Sequence, residues 1–274
     1  MIDLMKDFAV FILSHNRAEN IDTLDMLKKT KYSGKYYVVI STDDHQISRY
    51  KELIAPENLL IFDKDSINVD SMTPSSNKKR NSPLYARQYI CNYVRNNTNY
   101  KYFLMADDDI KQVVHKVNNN GRMKNIVVND INPIFIYFIQ FLCCSDNLAG
   151  VSPSYGAGFI GGIKDILKVG RDCFQFVFFK TSKIKDYVGF REEDTLLSLI
   201  NFEYIYIRFC GMAIVTPIMG RGVGGNEYKE KEFPPSLFPF IVRPSGIKPI
   251  AFMRRKRFNK FCYPKIIREQ YKKK

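Results

Sequence analysis

The chain has 274 residues, 45% of them hydrophobic, with 21 Phe, 17 Tyr, no Trp and a formal net charge of +14. This excludes a disordered chain, which lacks the apolar and aromatic residues for a core, and the length admits one Rossmann-sized domain or two small ones. The charge is uneven: residues 228–274 hold 14 Lys/Arg against 3 Glu. Such a balance favours polyanionic partners such as nucleic acid, an anionic membrane or phosphate-bearing ligands, the alternative being a merely solvated basic surface.

Phe8-Ala-Val-Phe-Ile-Leu13 reads as a buried parallel strand with Ser14-His-Asn-Arg17 at its carboxyl end. A helix is expected from about Glu19 to Lys29 with Leu24 and Leu27 on its apolar face, then strands at Tyr36–Ser41, ending in Thr42-Asp43-Asp44, and at Leu59–Phe62. Residues 63–83 are rich in turn formers around Lys78-Lys79-Arg80 and read as a loop. Leu84–Arg95 reads as a helix and Tyr102–Ala106 as a strand running into Asp107-Asp108-Asp109. Beyond it the pattern gives a buried helix at Ile134–Cys144, a turn at Gly156–Gly162, a strand at Phe174–Phe179 and a helix at Phe190–Phe202. A last strand at Ala213–Thr216 is followed by a loop at Gly220–Gly225 and a basic tail.

Alternating strands and helices imply an α/β fold with a mainly parallel central sheet flanked by helices. Ligands bind at the carboxyl ends of the strands in such sheets, and Ser14–Arg17, Asp43–Asp44 and Asp107–Asp109 all sit there. The six cysteines, at 91, 143, 144, 173, 210 and 262, form no CxxC pair, so free, buried thiols are expected rather than a zinc site or a disulfide framework. The N-terminus lacks a signal-peptide apolar run, and the longest apolar stretch falls short of the roughly 20 residues a membrane span needs. A cytoplasmic protein is expected.

Three adjacent carboxylates repel one another, and a strand end tolerates them when a cation sits between them. Strand alternation would send Asp107 and Asp109 one way and Asp108 the other. The alternative is a solvated acidic turn or helix start.

Phe103-Leu-Met-Ala-Asp-Asp-Asp-Ile110 resembles the DXD motif of GT-A (Rossmann-like) glycosyltransferases. Val10–Arg17 resembles the first strand and nucleotide loop of that fold, and Ser41–Asp44 its second strand end. Ala86-Arg87 resembles an Ala-Arg-Asn segment, with Gln88 in place of Asn, and Gly161-Gly162 and Val188–Asp194 resemble the acceptor-side segment ending in Glu-Asp. The set resembles the TET-associated glycosyltransferase family, which includes phage enzymes acting on 5-hydroxymethylpyrimidines in DNA.

The resemblance implies that Asp107 and Asp109 bind a divalent metal, Mn²⁺ or Mg²⁺, and the donor diphosphate. Asp108 would meet the ribose or the metal, Asp43 the base and Arg87 the diphosphate or sugar, with Ser14, Asn16 and Arg17 in the donor loop. Asp194, or else Glu193, would be the general base that deprotonates the acceptor hydroxyl, Glu192–Asp194 being alternatively an ordinary acidic helix start. Many family members place a further metal ligand, a His, after the last strand, where this chain has Gly220–Gly225 and Asn226.

Met253–Tyr263 interleaves Arg254, Arg255, Lys256, Arg257 and Lys260 with aromatics, a pattern suited to nucleic acid because cations track phosphates and rings stack on bases. With Lys78, Lys79 and Arg80 it suggests duplex DNA as acceptor. The expected organisation is a glycosyltransferase domain over 1–226 and a basic extension over 227–274 near the acceptor site. The expected reaction moves a sugar from a nucleotide-sugar, UDP-linked by preference, to 5-hydroxymethylcytosine or its glycosylated form. For a phage-encoded chain the location is the host cytoplasm. Cell-envelope glycan or lipid acceptors, a non-catalytic DNA-binding protein and a nucleotidyltransferase are the alternatives, the last disfavoured by the absence of a Gly-rich, basic loop after the first strand.

Overall fold

Six consecutive apolar residues leave β1 (Phe8–Leu13) no polar face, and all six are buried. A strand with two apolar faces needs cover on both sides, and the sheet provides it. The computed structural model describes residues 5–69, 83–120, 122–155, 167–169, 173, 175–187, 197 and 204–217.

The elements run β1, α1 (Asp22–Lys29), β2 (Lys35–Ser41), α2 (Ile47–Leu53), β3 (Leu59–Phe62), α3 (Leu84–Asn97), β4 (Tyr102–Asp107), β5 (Gln112–Asn119), β6 (Arg122–Val127), α4 (Asn132–Cys143), β7 (Leu148–Tyr155), β8 (Leu167–Val169), β9 (Phe176–Lys180) and β10 (Ile205–Val215). Among the described residues they build one sheet in the order β3-β2-β1-β4-β9-β7-β10-β5-β6, with β8 on β10. The pairs β3-β2, β2-β1, β1-β4 and β7-β10 are parallel. β9 lies antiparallel between β4 and β7, and β5 and β8 run antiparallel to β10. The expected α/β sheet is present, with most strands pointing one way. Their carboxyl ends bring the loops after β1, β2 and β4 to one edge.

One face carries a core of β1 residues Phe8, Val10 and Ile12 with Leu24 and Leu27 of α1, Tyr50 of α2 and Phe135, Phe138, Ile139 and Leu142 of α4. On the other, Ala9, Phe11 and Leu13 pack with Leu84, Ile90, Cys91 and Val94 of α3. Aromatic stacking ties the layers: Phe138 lies on Phe178 at 4.7 Å and Phe62 on Tyr89 at 4.9 Å between centroids.

Several boundaries differ from expectation for local reasons. α1 begins at Asp22 rather than Glu19 because residues 17–20 close a turn, Asn20 N–H donating to the Arg17 carbonyl at 2.9 Å. α3 runs two residues further, to Asn97, and β9 begins at Phe176, after Gln175 at φ 55, with Phe174 outside the described residues. β10 extends back to Ile205, its apolar pattern masked by Arg208 and by a register break between Phe209 and Ala213. α4 is apolar apart from Asn132 and Gln140 yet buries only one face; Tyr137 is 45% exposed, and Cys143 and Cys144 at its end are exposed too. Cys91 and Cys173 are buried and Cys210 half-buried, so the thiols are not uniformly interior. The turn at Gly156–Gly162, the loop at Gly220–Gly225, the helix at Phe190–Phe202 apart from buried Leu197, Cys262 and the 227–274 extension lie outside the described residues. No helix among the described residues is long and apolar enough to cross a membrane.

Candidate active site at the strand ends

β4 stops at Asp107, so Asp108 and Asp109 lie in a turn and strand alternation does not set their directions. The turn is pinned on three sides. Asp107 N–H donates to the Gln175 carbonyl at 2.8 Å and Lys111 N–H to the Val215 carbonyl at 2.8 Å. From the first turn of α1, Thr23 N–H donates to the Asp108 carbonyl at 3.1 Å and the Thr23 hydroxyl to the Asp107 carbonyl at 2.5 Å.

The three carboxylates then part company. Asp107 Oδ1 accepts from Arg87 at 3.1 Å. Arg87 is 5% exposed, which excludes an ordinary surface position on α3. Asp108 is buried between the β1 and β4 loops, its Oδ2 accepting from the Ser14 hydroxyl at 2.7 Å and its Oδ1 from Arg17 at 2.9 Å. Asp109 Oδ1 is buried without a hydrogen-bond partner among the described residues. A buried carboxylate oxygen without a donor is costly, and a cation is the natural remedy, so the residues present fit a metal. No three His, Cys, Asp or Glu side chains among the described residues converge as a ligand set. Such a cation would take its remaining ligands from phosphate and water, as Mg²⁺ commonly does.

Burial pushes the Asp109 carboxyl above the ordinary carboxylate range; Arg17 pulls it back and Asp22 adds to the rise. Asp108 is raised by burial too, against hydrogen bonding from Ser14 and the charge of Arg17. A carboxyl whose folded pKa is raised opposes folding once ionised, and the opposition fades as pH falls through that raised pKa. Asp109→Asn is therefore expected to raise the Tm of the metal-free protein at pH 7. The gain should shrink as pH approaches the unfolded carboxyl value of about 3.9, which calorimetry across that range would check.

The loop after β1 is built by side chains from beyond β2. Asn16 sits at φ 54, a left-handed conformation that Asn tolerates. Its N–H donates to buried Asp44 at 2.8 Å, Arg17 N–H donates to the Tyr50 hydroxyl at 3.0 Å and Ala18 N–H to Gln46 at 2.9 Å. The Asn16 side-chain oxygen accepts from His45 N–H, and Tyr50 also meets Ser14 at 2.7 Å. These backbone donors are occupied, so this loop is no amide cradle for phosphate. The Arg17 side chain faces Asp108, and His15, 3.4 Å from Asp44, is well exposed.

At the end of β2, Asp43 is held by the Ser41 hydroxyl and by Lys64 at 2.8 Å, with its side chain 54% exposed. Burial raises its carboxyl, but the hydrogen bonds from Lys64 and Ser41 outweigh that and leave it below the usual range. On α3, Gln88 accepts from Tyr187 N–H at 2.7 Å and donates to Asp186 at 3.0 Å, tying the helix to the segment that leads into residues 188–194. Thus the structure gathers Ser14, Asn16, Arg17, Arg87 and Asp107–Asp109 at one edge, with Asp43 on the neighbouring strand end. Glu193, Asp194, Lys78, Lys79, Arg80, Arg254, Arg255, Lys256, Arg257 and Lys260 lie outside the described residues. Asp44, read from the sequence only as part of the acidic end of β2, is the anchor of the β1 loop; Thr23, Gln46, Tyr50 and Lys64 carry no sequence signal for their places here.

The fold and the site define an α/β protein with acidic residues gathered at the carboxyl ends of its strands. The TET-associated glycosyltransferase family model matches residues 8–200, and the chain belongs to that family: it is a glycosyltransferase. Comparison with curated proteins gives no match. Among solved structures it is similar to glucosyl-3-phosphoglycerate synthase from Mycobacterium tuberculosis in complex with Mg²⁺ and uridine diphosphate, at 11% identity and TM-score 0.45, covering 81% of this chain and 76% of that one. It is also similar to S. aureus TarS, residues 1–349, at 11% identity and TM-score 0.41, covering 76% of this chain and 60% of that one.

Proposed function

We propose that this glycosyltransferase moves a sugar from a nucleotide-sugar, UDP-linked by preference, to 5-hydroxymethylcytosine or an already glycosylated hydroxymethylcytosine in DNA, with Mn²⁺ or Mg²⁺ as cofactor. The observation that carries the metal-dependent reading is Asp109, whose buried carboxylate oxygen has no donor among the described residues, in a turn pinned at the end of β4. Asp107 and Asp109 would hold the metal, which when bound neutralises the leaving diphosphate. Arg87, beside Asp107, faces the diphosphate or sugar. Ser14, Asn16 and Arg17 shape the donor side, with Asp108 fixing Arg17 or meeting the ribose, and Asp43, ionised and exposed, accepts hydrogen bonds from the base. Asp194, or else Glu193, is the general base for the acceptor hydroxyl.

The acceptor assignment rests on the family and on charge: +14 overall, concentrated in 227–274. Lys78, Lys79, Arg80, Arg254, Arg255, Lys256, Arg257 and Lys260 are the proposed DNA contacts, and residues 1–226 the catalytic domain. Screening UDP-sugars with Mn²⁺ against hydroxymethylated and unmodified duplexes tests the reaction. A sugar-sized mass gain on the hydroxymethylated duplex alone is expected; no gain there with any donor, while a glycan or lipid acceptor is modified, contradicts it.

Duplex binding should weaken steeply with salt, and replacing Arg254, Arg255, Lys256 and Arg257 by Gln should flatten the log–log slope by about three to four. Absence of duplex binding at low salt would remove DNA as acceptor.

A further inference from the structure

Thr23 is fully buried in the first turn of α1, 84 residues before Asp107, yet its N–H and its hydroxyl both bond to the aspartate turn. Its hydroxyl donates to the Asp107 carbonyl at 2.5 Å and accepts from Ile110 N–H at 3.0 Å, while its own N–H donates to the Asp108 carbonyl at 3.1 Å. One residue thereby closes the backbone on both sides of Asp109. Thr30 in the same stretch shows the ordinary alternative: its hydroxyl bonds back to the Met26 carbonyl at 2.8 Å, within its own helix. Thr is a mediocre helix former, and the Thr23 hydroxyl serves another element instead of its own.

We infer that Thr23 is a positioning residue that sets the metal affinity of the Asp107–Asp109 turn. This rests on the metal-binding reading proposed above. The carboxylates do the ligating, and Thr23 touches neither ligand atoms nor substrate. It holds the peptide groups of Asp107, Asp108 and Ile110, so the Cα of Asp109 has fixed neighbours on each side. Val has the shape of Thr but offers neither donor nor acceptor. In Thr23→Val the fully buried Ile110 N–H loses its acceptor and the Asp107 carbonyl a donor. The turn must relax to recover those bonds, and Asp109 moves with it. Ser keeps the hydroxyl and loses only a methyl group.

Mn²⁺ titration of the full chain, read by the fall in the electron-paramagnetic-resonance signal of free Mn²⁺, tests this with and without UDP. Thr23→Val should weaken Mn²⁺ binding about tenfold or more, the range for groups that orient metal ligands. Thr23→Ser should bind as wild type, and so should Thr30→Val, which removes a buried hydroxyl remote from the aspartates. Wild-type affinity in folded Thr23→Val overturns the inference, as does equal weakening in Thr30→Val, which would mean general loosening of α1. If Thr23→Val does not fold, weakened binding by folded Thr23→Ser still overturns it. No Mn²⁺ binding by the wild type, with or without UDP, removes the metal reading itself and this inference with it.

Discussion

Asp109→Asn is expected to lower kcat/KM for sugar transfer by about 1000-fold or more, roughly 4 kcal/mol of transition-state stabilisation, and to abolish Mn²⁺ binding. The side chain keeps its size, so the loss isolates charge from shape. Asp109 Oδ1 lacks a donor among the described residues, so the wild-type fold carries a cost at this position that a cation removes. The same substitution should stabilise the metal-free protein at neutral pH, because burial holds the Asp109 carboxyl above its ordinary range. Loss of activity together with a higher metal-free Tm is the signature of a residue kept for chemistry at the expense of stability. Product formation is followed by mass spectrometry of the acceptor and Mn²⁺ by resonance titration. Retained transfer within a few-fold of wild type would show that Asp109 does not serve the metal.

Asp108→Ala is expected to cost about 2–3 kcal/mol of folding stability, or roughly 4–12 °C in Tm for a chain of this size. Asp108 is 8% exposed and accepts from both Ser14 and Arg17. Truncation leaves the Arg17 guanidinium facing a buried gap; because Arg17 is 25% exposed, water relieves part of that penalty and the value sits at the low end for a broken buried pair. Ser14→Ala should cost less, near 1 kcal/mol, since it leaves the Arg17–Asp108 pair in place. Thermal and urea unfolding measure both. An unchanged Tm in Asp108→Ala with a raised donor KM would instead assign Asp108 to the ribose.

What the sequence discloses here is local, and what it hides is long-range. β1 and β3 are legible to the residue because each is an unbroken apolar run between polar residues. The end of β4 at the aspartates is legible because the apolar run stops there, but the directions of the three carboxylates are not, because Asp108 and Asp109 lie in a turn held by distant residues. The β5–β6 hairpin escaped because Val113 and Val114 lead into His115 and Lys116, and no strict alternation marks the pair. α2 is short and mostly polar, with Tyr50 as its one buried residue. Tyr50 reaches Ser14 across 36 positions, and Thr23 reaches Asp107 across 84; no local pattern announces such partners. Asp43 and Asp44 are neighbours of one type, yet Asp44 is buried as the anchor of the β1 loop while Asp43 stays exposed beside Lys64. Only the fold distinguishes them.

On the proposed function, the β4 strand end binds a nucleotide diphosphate through a divalent cation. Isothermal titration of the full chain with UDP and GDP, in Mn²⁺ and then in excess EDTA, tests it most directly. At least one nucleotide is expected to bind in Mn²⁺, and EDTA to abolish the binding. Equal binding in EDTA, or no binding of either nucleotide with Mn²⁺ present, would contradict it.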